Sequence, residues 1–359
     1  MNTIYIRTLK RAEHTVFCVD KVQKTYYDPQ FNTSIPFSSG QQVKRSLIDS
    51  FLSNLNESRS PTTFYHNLMK DGKIEEAEVH GTCNPLDADQ LLGGWMKTAQ
   101  KNNDGKKSRT IKRRSPLSIS SMRGLHPLLA GVKKENVSFD RSETPSNEIV
   151  VKDSSGKVLS PDEIDEILKG QDRSLNRKWI QDQSGSSNRA TGLFVQDMAI
   201  DLRRLFCVLL NKLEPEITEE TEAKLREEGW QETETVFGKC LVAPKEKRDA
   251  LAKALAYAII NWTITSNQSR TFSLMETLAV SISDNANKIA GSIRAKLKEE
   301  EENKAEPIIE EDMAGVESFV TLQAGGYIRT KKETVDALEK AEKSIYDKIM
   351  AFDYENQLA

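Results

Sequence analysis

Residues Pro36 to Leu55 read PFSSGQQVKRSLIDSFLSNL and hold the clearest local pattern in the chain. Val43, Leu47, Phe51 and Leu55 recur every fourth residue, the spacing of one helix face, and Ser38 or Ser39 stands where a hydroxyl can cap the first turn. Lys44 and Arg45 fall in the first two turns, beside the free N–H groups and the positive end of the helix dipole. Two cations placed there suit a phosphate. Upstream, Thr3 to Thr8 is rich in β-branched and aromatic residues and reads as a strand. Between the two, Asp28-Pro29 and Asn32-Thr33-Ser34 mark turns.

Working downstream, Thr62 to Thr82 reads as a hairpin around Asp71-Gly72, and Asp87 to Met96 as a short helix or turn broken at Gly93-Gly94. The segment KKSRTIKRRSPLSISSMRGLHP, Lys106 to Pro127, mixes β-formers with hydroxyls and predicts extended structure with loops. From Lys133 to Ala190 the chain is polar. Pro145, Asp153-Ser154-Ser155-Gly156 and Ser184-Gly185-Ser186-Ser187 interrupt it, and Phe139 and Trp179 are its only aromatics. Such a length without a core pattern predicts an inserted arm. A strand is expected at Thr191 to Ile200 and a helix at Leu202 to Leu213. Pro244 opens an alanine-rich helix, Lys245 to Trp262. Thr263 to Ser283 reads as a polar loop entering a strand. A helix over Asp284 to Lys298, an acidic linker and a closing helix over Thr334 to Phe352 complete the pattern, with no internal repeat.

The 359 residues carry a net charge of -3, with 37% hydrophobic and 29% charged residues. That average hides a segregation: Lys97 to Lys134 holds eleven Lys/Arg against one acid, Asp104, a local charge of +10. The acids concentrate in Glu214 to Glu234 and Glu299 to Asp312. A basic block in an acidic chain is the footprint of a polyanion site, and Ser118, Ser120 and Ser121 can donate to phosphates that Arg113, Arg114 and Arg123 neutralise. The scattered cysteines (Cys18, Cys83, Cys207, Cys240) form no CxxC pair and predict a reduced, cytoplasmic protein. No stretch reaches 18 apolar residues, and none at the N-terminus resembles a leader. The histidines His14, His66, His80 and His126 lack metal or protease spacing, and neither a P-loop nor a GxSxG elbow is present. Asp20 and Asp28, the acids after the first strand, read as turn formers. The expectation is a binding protein that is not an enzyme and needs no cofactor or metal.

Four blocks together carry a family resemblance: SSGQQVKRSL (Ser38–Leu47), RRSPLSISSMRGL (Arg113–Leu125), TGLFVQDMAIDL (Thr191–Leu202) and NQSRTFSLMETLAVSISD (Asn267–Asp284). In order and spacing the chain resembles the backbone subunit of type I (Cascade) CRISPR effector complexes, a DevR-like member of the RAMP superfamily, from Tyr5 to about Asp284. The resemblance implies an α+β chain with a modified RNA-recognition, ferredoxin-like fold: a central antiparallel sheet, helical fingers and a long hairpin thumb. It implies a single palm domain over 1–359, with fingers at about 56–112, a thumb at about 135–190, the acidic linker at 299–312 and the last helix at 334–352. By position, Ser39, Gln41, Lys44 and Arg45 resemble residues that grip guide-RNA phosphates. Arg113, Arg114, Ser120, Met122 and Arg123 resemble the loop beside a kinked nucleotide, and Gln268 and Arg270 a further loop facing the RNA. The family often has a second lysine where this chain has Ile48, so Lys106, Lys107 or Lys112 is expected to share the grip. The implied partners are a CRISPR guide RNA, target DNA through that guide, further copies of the chain, and the large and 5′-handle-capping subunits; no membrane is implied. Two rivals stand beside it: a RAMP endoribonuclease that processes guide RNA or cuts target RNA, and a protein that binds no RNA.

Overall fold

Alternation along the first strand builds the centre of the molecule. In the computed structural model, which describes residues 1–17, 23–98, 109–134, 137–140, 146–171, 175, 177–180, 188–264 and 272–358, strand β1 (Thr3–Thr15) sends Ile4, Ile6 and Ala12 to one face of a sheet. Leu9 points to the other. Side chains on a strand alternate with a period of two, so each face carries its own set. The sequence then runs helix α1 (Gly40–Leu55), strands β2 (Met122–Gly124) and β3 (Asn188–Asp201), helix α2 (Lys245–Asn261) and strand β4 (Thr277–Ser283). In space the strands stand in the order β2, β3, β1, β4, each antiparallel to its neighbour. Val316–Thr321 continues the sheet beyond β4, and the hairpin of Thr25–Asp28 with Thr33–Ser38 extends it beyond β2. The result is a mixed α+β chain around a large, mostly antiparallel sheet.

Both long helices lie on one face of that sheet. Val43, Leu47 and Phe51 of α1 and Leu251, Leu255 and Ile259 of α2 bury against Ile4 and Ile6 of β1, Phe194 and Met198 of β3, and Val280 and Ile282 of β4. Each such side chain contributes about 1.5–3 kcal/mol on leaving water. The closing helix, Ala337–Met350, joins this core through Ala341, Ile345 and Ile349. On the opposite face a smaller core, Leu9, Leu193, Val195 and Ala279 under Ile293, Ile309 and Ile328, covers only part of the sheet.

Most expected elements stand where the pattern put them. The hairpin is Thr63–Leu68 with Ile74–His80, and the arm contains the strand pairs Ala130–Lys134 with β3 and Val137–Asp140 with Arg177–Ile180. Between that last pair a helix, Pro161–Leu168, is closed by a capping box of Ser160 and Glu163. Two helices end early. Leu202–Leu205 makes one turn before Cys207–Leu209 pairs as a strand with Gly238–Val242. The β-forming run Phe206-Cys207-Val208 is fully buried there, and tertiary packing overrides helix propensity. Likewise the helix expected over Asp284 to Lys298 is Ala286–Ser292, and Ile293–Lys298 leaves it as a strand. That strand pairs with Glu301–Ile309, so the acidic linker is the second strand of a hairpin. Opposed charges explain the pairing: Lys296 faces Glu306, and Arg294 bonds Glu310. Among the described residues no helix is long and apolar enough to cross a membrane.

One cation is sealed in the main core. Lys10 is buried beneath the ring of Trp262, 4.7 Å from its centroid, and donates to Ile260 O, Trp262 O and Thr277 Oγ1. It thereby satisfies carbonyls at the C-terminal end of α2 and ties that end to β4. Burial drives its pKa down from 10.5 to about 7. The folded pKa lies below the unfolded one, so the ammonium weakens the fold most below pH 7. That penalty fades as pH rises toward 10.5. The melting temperature of Lys10→Met minus that of the parent is therefore expected to be more positive at pH 6 than at pH 10. A difference independent of pH would show that Lys10 does not titrate in this range.

Candidate nucleic-acid interface

Ser39 is the residue that caps α1, its hydroxyl accepting from Gln42 N at 3.3 Å. The next residue has a steric task. A Cβ on Gly40 would lie 2.7 Å from Ile119 O and 3.2 Å from the Ser120 carbonyl carbon, so only glycine lets the helix end press on this loop. Two of the four sequence blocks thus meet at the N-terminus of α1. Gln41 is exposed beside them, and Arg45 one turn on is exposed with no ion-pair partner among the described residues.

The loop itself is fastened to β3. Ser120 N donates to Asp197 O at 2.9 Å, and Ser120 Oγ accepts from Asp197 N at 2.9 Å while donating to Ser121 O. The Asp197 carboxylate then holds two guanidiniums, Arg123 Nη2 at 2.7 Å and Arg7 Nη1 at 2.8 Å. Arg7 also donates through Nε to Ile293 O. Burial pulls its pKa below the ordinary value, and Asp197 opposes that pull. One carboxylate between two guanidiniums leaves a net positive charge at the margin of the smaller core, with Arg7 buried beside Ile293 and Arg123 half-exposed. Arg114 projects into solvent one residue from the core and makes no ion pair among the described residues.

Three residues expected at the contact have side chains that are buried or already bonded within the fold. Arg113 is only 4% exposed. It donates to Leu91 O, Arg204 O and Cys207 O, with its Nε 3.8 Å from a Glu216 oxygen. It lies 5.4 Å from the centre of the Trp95 ring. Burial outweighs the pairing on both sides, taking Arg113 down to about 10 and Glu216 upward. Its cause is alternation: Ile111 and Arg113 point inward while Lys112 and Arg114 point out. Met122 is fully buried against the helices for the same reason, because Arg123 takes the outward position. Lys44 is committed as well. Its ammonium donates to Gly93 O at 2.9 Å and Ser115 Oγ at 2.7 Å, and burial, helped by Arg113, lowers its pKa to about 8. Lys44 therefore ties α1 to two loops and has few donors left for a phosphate.

Lys112 is exposed but paired with Glu214 at 3.0 Å, inside the acidic block. Gln268, Arg270, Lys106, Lys107 and Asp20 lie outside the described residues. Asp28 accepts from Phe31 N at 2.9 Å, the bond of a turn former. Sequence reasoning did not assign Arg7, Asp197 or the rings of Tyr26 and Phe37. The signal for Asp197 was its place in the apolar run FVQDMAI, where a charge on a central strand needs a partner.

No family model and no curated protein matches this chain. Among solved structures, a chain of a "CRISPR RNA-guided surveillance complex, pre-nicking" is similar with a TM-score of 0.44 and 9% identity, over 78% of this chain and 77% of that one. A chain of a "CRISPR RNA-guided surveillance complex" has a TM-score of 0.41 and 10% identity, over 95% and 99%.

The burial of Arg113 and the exposure of Arg114 separate their variants. Arg113→Ala is expected to cost about 3–5 kcal/mol, because it removes a buried cation that donates to three carbonyls and leaves Glu216 with only Arg204 and Leu209 N as partners, whereas Arg114→Ala is expected within about 0.5 kcal/mol of the parent. Urea unfolding of the two proteins measures both, and equal midpoints would contradict the assignment of Arg113 to the core.

Proposed function

We propose that this chain is a non-catalytic RNA-binding subunit that lines up with copies of itself along a CRISPR guide RNA, as the backbone of a DNA-targeting surveillance complex. The observation that carries the reading is the meeting, across Gly40, of the capped end of α1 with the loop of Ser120 and Arg123. Two separate sequence blocks of the family pattern contribute to one polar rim there. Arg45 and Arg114 in these two blocks are exposed, and Arg123 beside the rim is half-exposed. Guanidiniums with serine hydroxyls and helix N–H groups bind phosphate backbone without reading bases.

The fold supports the same reading. Strand, helix, two strands, helix, strand with the spatial order β2, β3, β1, β4 suits a ferredoxin-like arrangement of the kind on which RNA-recognition domains are built. The paired strands of the arm, Ala130–Lys134 with β3 and Val137–Asp140 with Arg177–Ile180, suit a thumb that interrupts pairing of the guide. The hairpin Thr63–Leu68 with Ile74–His80 is exposed at every residue but His80. It sets the apolar pairs Phe64/Val79 and Leu68/Ile74 against solvent. Two strands alone are marginal in water, and a neighbouring copy would cover them. Copies joined head to tail make an open filament rather than a ring. The large subunit and a 5′-handle-capping subunit would complete the particle, with target DNA recognised by the guide.

RNA of increasing length, mixed with the purified chain, tests this. Bound mass is expected to rise in steps with RNA length, the RNA to stay intact, and affinity to fall steeply with salt. Arg45→Ala/Arg114→Ala/Arg123→Ala should weaken binding to all sequences alike and flatten the salt slope by about 0.7 for each phosphate that is no longer neutralised. One copy bound whatever the length, or shortened RNA, would overturn the backbone reading and favour an endoribonuclease.

A further inference from the structure

The edge hairpin Thr25–Asp28 with Thr33–Ser38 displays rings where a two-stranded edge would ordinarily show polar side chains. Tyr26 is 42% exposed. Its ring lies 6.0 Å from that of Phe37 at 63°. Phe37 is half-buried and stands directly opposite Arg123 in the sheet register. Neighbouring Tyr27 is spent on the turn, its hydroxyl bonding Asn32 Oδ1 at 2.6 Å. Arg123 is close enough for its charge to pull on the Tyr26 hydroxyl, whose pKa burial and Asp28 raise.

We infer that Tyr26 and Phe37, flanked by Arg123, form a platform on which one unpaired nucleobase of a bound single-stranded RNA stacks. The inference rests on the RNA-binding reading and adds to it a contact with base rather than backbone. Aromatic rings and guanidinium planes take any base, since every base has a π-face. Here the guanidinium is already fixed by Asp197, itself held by Arg7, so little side-chain freedom is lost when a base arrives. Ser39 and Ser120 flank the phosphate rim, and Ser120 Oγ lies 3.5 Å from Arg123 Nη1. A nucleotide with its phosphate on the rim would reach the rings with its base. A protein occupant fits less well. The same hairpin carries polar Thr25, Asp28, Thr33 and Ser34, whereas the buried centre of a protein interface is depleted of charge and rich in apolar side chains.

The test uses single-stranded RNAs carrying one 2-aminopurine, moved position by position, bound to the full chain. At one or more positions its fluorescence should be quenched on binding. Tyr26→Ala should abolish that quenching and weaken binding about tenfold, while Tyr26→Phe keeps both. Because Tyr26 is exposed, the variant's melting temperature should match the parent's, and Phe37→Leu gives a second, independent loss. Quenching unchanged in Tyr26→Ala at every position would overturn the platform while leaving RNA binding intact. A smaller assembly with unchanged affinity per copy would overturn it too, by showing that the rings touch a neighbouring protein. If the parent binds no RNA at any length, the functional reading itself fails, and the platform with it.

Discussion

The pairing of β1 with β3 is the constraint on which the rest depends. Thr3 stands opposite Asp201 and each following pair steps along to Ala12 opposite Gly192, joining segments separated by about half of the chain. Within that register Arg7 faces Asp197, and the ion pair between them is a cross-strand pair fixed by the ladder. A slip of one residue would drive Arg7 into the helical core and turn Ile6 toward water, so the buried face enforces the register and the register places the charges. Asp197 in turn orients Arg123 and anchors Ser120, and through that loop it meets the cap of α1. A sheet made to bury apolar surface therefore also sets the geometry of the polar rim.

Glycine and burial decide how close the two sides of that rim come. Gly40 touches backbone that any larger residue would displace, and Gly94, at φ +71, lies against the backbone of Arg113 and Ser115 in the same way. Lys44 spans the gap between these contacts by bonding Gly93 and Ser115. The first two turns of α1 are consequently locked on two sides. A site held this way keeps its donors in place before a ligand arrives, and binding then costs little ordering.

Much of the fold was legible because it is local. The α1 cap and its four-residue repeat, the Asp71-Gly72 hairpin and the Pro244 helix each rest on neighbouring residues and appear where the spacing put them. Failures came where distant partners decided the outcome. Cys207–Leu209 became a strand because Gly238–Val242 was there to pair, and Glu301–Ile309 because a basic strand faced it. The candidate site divides along the same line. Ser39 and Arg123 are positioned by local cap and alternation, whereas the burial of Arg113 and Met122 was not legible, because a residue type says nothing about which side of a strand it will occupy.

That division changes what the basic block means. In sequence, eleven cations between Lys97 and Lys134 look like one electrostatic surface. In the fold Arg113 is spent on carbonyls and Glu216, Lys112 on Glu214, and Arg123 is shared with Asp197. Lys44 and Lys10, outside the block, are consumed in the same way. Charge density along a chain therefore overstates the field that a ligand meets, because buried cations satisfy the protein's own acceptors and contribute little at long range. Among the described residues of the block, Arg114, Lys133 and Lys134 stay exposed with no ion pair, and Arg123 is half-exposed. Separate exposed cations of this kind suit the repeated phosphates of the proposed RNA partner better than a compact anion, which would need several donors converging on one spot.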